Sequence, residues 1–325
     1  MVSAPVDNSI ESPLSVLVGQ PQAVDLLTQA VSRQRIAPGY LFVGAPGVGR
    51  TIAANAFAEL LFSQSGPSSA VLKRRIIERN HPDLLWVEPT YLHQGQRLTA
   101  TEAAEAGLKR KGLPQIRLEQ IREVARFLSQ PPLEATRAVV VIEAAERMAE
   151  AAANALLKTL EEPGKATLIL IAADQQALLP TLISRCQIIP FVRLGPKDMA
   201  QVLTERGPVE ILESPAILNL AQGSPGAAIA SWQQLQDLPD GLLDRVTQPL
   251  KSRRDALEVA RQITQALDTE AQLWLLGYLQ QHYWQQTLSA HVSDLLQKFE
   301  QSRKYLLRYV QPRLVWEVLM LQLVN

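Results

Sequence analysis

The run Gly44-Ala45-Pro46-Gly47-Val48-Gly49-Arg50-Thr51 has the spacing of a phosphate-binding loop at every position except one, where arginine stands in place of lysine. The chemistry would be that of a cradle: glycines let backbone N–H groups turn toward a phosphate chain, and the start of a helix behind them adds positive potential. Arg50 keeps the charge, but a bulky planar guanidinium cannot be assumed to reach between two phosphates as a compact ammonium does. Such a site also needs an acidic residue at the end of a later strand to hold Mg²⁺, usually beside a second carboxylate that polarises water. Val139-Val140-Val141-Ile142-Glu143-Ala144 supplies the first in Glu143 and places alanine where the second is wanted. Glu146 reads as a solvated charge at a helix start. Two independent defects predict a pocket shaped like an ATPase without its working parts. The glycine order does not fit a dinucleotide fingerprint.

The elements around these residues suit that reading. A short apolar run, Gly39–Val43, predicts a strand that ends at the loop, and residues 51–62 predict the helix that follows it. Residues 84–87, 138–142 and 166–173 are further apolar runs of the kind found in a parallel sheet covered on both faces. Helical patterns occur at residues 22–33, 118–128, 149–160 and 175–183, and the alternation predicts a doubly wound α/β domain over residues 1–191. Residues 89–114 break the rhythm with polar, Gly-punctuated sequence and predict an insertion or mobile loop. Residues 196–206, 215–222 and 224–235 predict a small helical lid domain over 192–238. Beyond it, Leu295, Phe299, Leu306 and Val310 share one helical face and Trp316, Leu319, Met320 and Leu323 another, which predicts a helical collar over 239–325. Trp274, Tyr278, Trp284 and Trp316 read most simply as core packing in those helices, although a helical collar that oligomerises would use similar surfaces.

Composition narrows the function classes. The 325 residues leave room for two or three domains, and 32 basic against 32 acidic residues exclude binding of nucleic acid by global charge. Lys73-Arg74-Arg75, Lys109-Arg110-Lys111 and Arg253-Arg254 are short basic clusters, none sufficient to assign a DNA contact. One cysteine, Cys186, permits no internal disulfide and points to the reducing cytoplasm, and four scattered histidines give no zinc spacing. No run approaches the ~18 apolar residues of a membrane span. No paired carboxylates suit a two-metal polymerase.

The segment Asn154-Ala155-Leu156-Leu157-Lys158-Thr159-Leu160-Glu161-Glu162-Pro163, followed by residues 178–183 and Ser184-Arg185-Cys186, resembles the bacterial DNA polymerase III clamp-loader family of AAA+ ATPases. The resemblance runs over residues 17–189, and Gly223-Ser224-Pro225-Gly226-Ala227 is similar to the family's lid motif. It implies an AAA+ P-loop domain followed by a lid and an oligomerising collar. The active motor branch (gamma/tau) keeps the loop lysine, an acidic pair and a lid arginine, whereas this chain has Arg50, Glu143-Ala144 and Gly226, so it resembles the non-motor delta-prime branch. Ala172-Ala173 stands where a polar sensor residue is expected. The resemblance assigns Arg185 as an arginine finger presented in trans to a neighbour's ATP, a contact worth roughly 10³ to 10⁵ in rate. It implies a hetero-oligomer with gamma/tau and delta subunits that loads the β sliding clamp on primed DNA. No cofactor would be required; ATP or ADP with Mg²⁺ could sit structurally on Gly44, Gly47, Gly49, Arg50, Thr51 and Glu143. Family members usually carry a four-cysteine zinc module in the region of residues 62–81, and this chain has no cysteine there, although Asn80-His81-Pro82-Asp83 resembles the sequence that follows it.

On residues alone, Arg185 also fits a surface salt bridge, Ser184 a cap, Cys186 a small hydrophobe, and Lys158, Glu161 and Glu162 a solvated helix face. The competing function is an ATPase in its own right, tolerating Arg50 and using Glu143 for Mg²⁺. A branch-migration helicase fits the Leu156 to Pro163 and Ser184 to Cys186 motifs less well.

Overall fold

A computed structural model describes residues 12–63, 70–107, 113–286, 291–308 and 310–324. The Lys109-Arg110-Lys111 cluster lies outside them.

Along the chain, α1 (Pro21–Ser32) opens with proline in its first turn, where the missing N–H costs nothing. Strand β1 (Gly39–Val43) runs through the loop into α2 (Arg50–Phe62), and α3 (Ala70–Ile77) precedes β2 (Leu84–Val87). The described residues of 89–114 have secondary structure of their own, as an insertion does. The excursion leaves and returns at a Thr90/Gln115 backbone bridge, and holds a hairpin of β3 (Tyr91–His93) and β4 (Gln96–Leu98) followed by α4 (Ala100–Glu105). The reasons are local. Gln94 and Gly95 both take positive φ, as a two-residue hairpin turn of the primed kind requires, and Thr99 with Glu102 forms a reciprocal capping box.

Next come α5 (Leu118–Leu128), β5 (Ala138–Ile142), α6 (Glu150–Glu161) and β6 (Ala166–Ala172). Where one helix was expected over 175–183, a short 3₁₀ turn at Gln175–Ala177 is separated from α7 (Pro180–Ile183) by extended Leu179. Pro180 imposes that break, because the residue before a proline is pushed out of the helical region. Strand β7 (Gln187–Pro190) completes a five-stranded parallel sheet of order β2-β5-β6-β1-β7. All residues of β5 and β6 are buried, and on one face of the sheet Val140, Ile142, Leu168, Leu170 and Ala172 join Ile121, Val124, Leu156, Leu160 and Leu182 in one core. This is the doubly wound α/β class expected from the apolar runs.

The remaining elements are helical: α8 (Pro196–Arg206), α9 (Pro215–Ala221), α10 (Pro225–Gln236), α11 (Leu242–Thr247), α12 (Arg253–Ala266), α13 (Thr269–Gln286), α14 (His291–Leu307) and α15 (Pro312–Leu323). Val259, Ile263, Leu279, Phe299, Trp316 and Met320 form a core shared by α12 to α15. Trp316 is fully buried and its Nε1 donates to Gln272 at 2.9 Å, but Trp284 is 58% exposed and is not the core residue its apolar bulk suggested. Val310 lies beyond the end of α14 yet still packs on this core.

The chain divides into two compact units, residues 1–90 with 115–194 and residues 91–114 with 195–325. No helix among the described residues is long and apolar enough to cross a membrane.

Candidate functional site

The loop begins where β1 stops, between its neighbours β6 and β7, at the carboxyl edge of the sheet. Gly44 donates its N–H to Ala172 O at 3.3 Å, and its Cα faces Phe191 so closely that a Cβ there would lie 2.4 Å from the Phe191 carbonyl oxygen. Gly47 and Gly49 have φ of 80° and 107°, a region where a side chain strains the backbone. Gly49 caps α2, its carbonyl accepting from Ala53 at 2.9 Å. The loop is also stapled from outside. Gln20, nearly fully buried, donates through Nε2 to Val48 O at 3.2 Å and Val192 O at 2.7 Å, while its Oε1 accepts from Val192 N at 3.0 Å. A lone glutamine before a helix carries no motif, so the sequence offered no signal for this contact.

Thr51 and Glu143 meet. The Thr51 hydroxyl donates to Glu143 Oε1 at 2.9 Å, bringing together the two oxygen ligands that would hold Mg²⁺. Ala144 follows in the left-handed region, with φ 45° and ψ 54°, and offers no proton chemistry. Arg50 is sunk into the site. Its Nε and Nη1 are shielded from water without a protein partner, and burial pushes its pKa down against the opposing charges of Glu146 and Glu143. Glu146 is therefore not the solvated helix-start charge expected: its Oε2 is buried, without a hydrogen-bond partner, within reach of the Arg50 charge. The unpaired Arg50 donors beside the loop suit phosphate oxygens, so the residues present fit a Mg²⁺-nucleotide. Arg79 was not singled out from sequence; it pairs with Glu88, lies 4.8 Å from the centre of the Trp86 ring, and feels the Glu143 charge.

Arg185 lies elsewhere. It follows α7 and precedes β7, at the amino edge of the sheet, where its carbonyl oxygen is 3.3 Å from the position of a Cβ on Gly39, the first residue of β1. The structure does not bring it to its own loop. Its Nη2 contacts Glu161 Oε1 at 2.6 Å and its Nη1 donates to Thr181 O at 3.0 Å, so within this chain it makes the surface salt bridge weighed from sequence. Ser184 caps α7 by donating its hydroxyl to Thr181 O at 3.0 Å. Half-buried Cys186 packs on the sheet core, and burial pushes its thiol up to about 11.

Lys158 and Glu162 are exposed, as expected of a solvated helix face, whereas exposed Glu161 has the partner just described. The Lys73-Arg74-Arg75 cluster is largely neutralised: Arg74 pairs with Glu78, and Arg75 holds both oxygens of Glu134 at 2.8 and 3.1 Å. Asn80-His81-Pro82-Asp83 is a structural knot. Buried Asp83 accepts backbone N–H groups from Leu133, Glu134 and Ala135 at 2.6 to 2.8 Å, and His81 stacks on Phe62 with ring centres 4.3 Å apart. Gly226 sits in the first turn of α10, capped by Ser224.

Residues 19–195 match the family described as DNA polymerase III, delta subunit, and residues 197–323 match the cyanobacterial DNA polymerase III delta prime, C-terminal domain. The chain is 34% identical over 192 residues to the DNA polymerase III subunit delta' of Bacillus subtilis, covering 58% of this chain and 52% of that one. It is 33% identical over 210 residues to the Pseudomonas aeruginosa subunit delta', covering 62% and 57%. Similarity extends to the Bacillus subtilis subunit tau, 27% identical over 216 residues, covering 62% and 34%. The chain thus spans about half the length of the curated delta' relatives it matches. A crystal structure of a gamma subunit-related protein from Thermotoga maritima shares the fold, with a TM-score of 0.52 at 19% identity over 93% of this chain and 99% of that one.

Proposed function

The chain belongs to the DNA polymerase III delta-subunit family of clamp-loader proteins, and on that premise we propose that it is a delta-prime-like, non-motor subunit presenting Arg185 in trans to a neighbour's ATP. The observation that carries this reading is distance. Arg185 adjoins Gly39 and the loop starts at Gly44, so the five residues of β1 separate them by about 16 Å at roughly 3.3 Å per residue. One arginine side chain does not span that gap. A guanidinium on the amino edge of one subunit is placed to serve a triphosphate only if another subunit supplies it. There it would spread its donors over the charge that develops on the transferred phosphoryl group.

In this reading residues 1–191 are the AAA+ domain, 192–238 the lid and 239–325 the collar. The partners are gamma/tau and delta subunits, with the β clamp and primed DNA met through the assembly, in the cytoplasm. A nucleotide in the chain's own site would be structural. Thr51 and Glu143 would hold its Mg²⁺ and the loop and Arg50 its phosphates, the ion neutralising phosphate charge. With alanine at 144, no side chain there takes a proton from water.

The retained Thr51–Glu143 pair favours a second reading, an ATPase in its own right. Two assays separate them. In the reconstituted assembly, Arg185→Ala should depress DNA- and clamp-stimulated ATP hydrolysis with subunit association intact, and the isolated chain should show no turnover with ATP and Mg²⁺. Brisk hydrolysis by the isolated chain establishes the second reading; unchanged turnover in the Arg185→Ala assembly removes the first.

A further inference from the structure

Glu161 stands where a helix tolerates a carboxylate least. It is the last residue of α6, at the negative end of the helix dipole, and Glu162 beside it doubles the charge. Nothing in α6 itself explains that placement; Arg185 does. Nη2 of Arg185 lies 2.6 Å from Glu161 Oε1, while Nη1 donates to Thr181 O in α7, 3.0 Å away. Two of the five guanidinium N–H donors are thus engaged, from two different elements, which fixes the plane of the fork. The arginine side chain is 36% exposed, so the engaged fork remains open to solvent.

We propose that Glu161 is a positioning residue that preorganises Arg185 for a phosphate held by a neighbouring subunit. The inference rests on the reading of Arg185 as a trans-acting finger. A carboxylate could also oppose the finger by cancelling its charge, and magnitudes decide between the two effects. At the effective dielectric of a protein surface, a carboxylate about 7 Å from a unit charge on an incoming phosphate repels it by an amount worth roughly 50-fold in rate. A misplacement of about 1 Å at the reacting centre costs on the order of 100-fold. Orientation outweighs neutralisation, provided the finger is otherwise unsupported; the Thr181 carbonyl holds only one side of it.

The test is a double-mutant cycle in the reconstituted clamp-loader assembly, reading DNA- and clamp-stimulated ATP turnover. The turnover that Arg185→Ala abolishes defines the finger-dependent component. Glu161→Ala should lower that component about twofold at saturating ATP, the net of those two effects, with KM for ATP unchanged. Glu161→Gln keeps an oxygen acceptor for Nη2 and should recover most of the loss. Glu161→Ala should have no further effect in the Arg185→Ala background. Wild-type or faster turnover in Glu161→Ala, where Arg185→Ala is slow, overturns the positioning role and leaves the finger standing. A Glu161→Ala loss that persists without Arg185 overturns it also, since the carboxylate would then act on something else. If Arg185→Ala itself changes nothing, the finger reading fails and this inference with it.

Discussion

Gly44 opens a motif associated with phosphate, yet the structure gives it a packing reason that needs no ligand. Replacing it with alanine puts a Cβ 2.4 Å from Phe191 O and 2.9 Å from Phe191 Cβ, where ordinary contact begins at 3.4 Å. The gap of about 1 Å must come from backbone, and Phe191 is poorly placed to yield. Its N–H donates to Val43 O at 2.7 Å, its ring packs on Phe42 with centres 5.3 Å apart, and Gln20 grips the next residue through both amide atoms. Overpacking of a well-held site typically costs about 1 to 3 kcal/mol, and a clash with backbone belongs at the upper end, near 3 kcal/mol. Read by hydrogen exchange of β1 and β7 amides that open with the whole unit, ~3 kcal/mol is roughly 150-fold faster exchange. Gly49→Ala is the control. Its φ of 107° also strains an alanine, but the nearest atom to its Cβ is Leu17 Cδ2 at 3.8 Å, so it should lose only about 1 to 2 kcal/mol. Exchange in Gly44→Ala within threefold of wild type, or no faster than in Gly49→Ala, refutes the packing argument.

Other consequences follow from the same contacts. Burial alone would raise the Asp83 pKa, but three backbone N–H donors hold it below the ordinary carboxylate range. Its contribution to stability is therefore complete above the unfolded pKa of about 4 and is lost as pH falls through the lower folded value. Asp83→Asn should cost roughly 2 to 4 kcal/mol at pH 7 and flatten the acid limb of the stability curve, as urea titrations from pH 2 to 7 would check. Ala144→Gly relieves a left-handed alanine and should stabilise by about 1 kcal/mol, a rise in Tm of a few degrees by calorimetry. With its thiol near 11 rather than 9.0, Cys186 should react with a thiol reagent at pH 8 roughly 100-fold more slowly than in denaturant. Gln272→Leu strands the buried Trp316 Nε1–H and should lower stability by about 1 to 3 kcal/mol in urea unfolding.

The parallel sheet was legible because its strands are buried on both faces, so Val139 to Ile142 and Leu168 to Ala172 read as unbroken apolar runs. The hairpin at Tyr91 to Leu98 was not, because strands of three residues with polar faces leave no period to detect. Spacing alone singled out the loop glycines and Glu143, and the fold sets the Thr51 hydroxyl against that carboxylate. Glu146 and Trp284 were misjudged in opposite directions: one carboxylate oxygen is buried beside Arg50, and one indole stands in water. Residue type sets an average exposure, and the neighbours set the actual one.

Local order alone determined that this chain would form a phosphate-loop sheet lacking a lysine and a second carboxylate, since those features depend on residue type and near-neighbour spacing. Folding decided the rest: that Gln20 staples the loop to the residue after Phe191, that Gly44 is held to glycine by that phenylalanine, and that Glu161 meets Arg185. These pairs lie 172, 147 and 24 residues apart, and only the closing of β7 against β1 and of α7 beside α6 brings them within hydrogen-bond or van der Waals range.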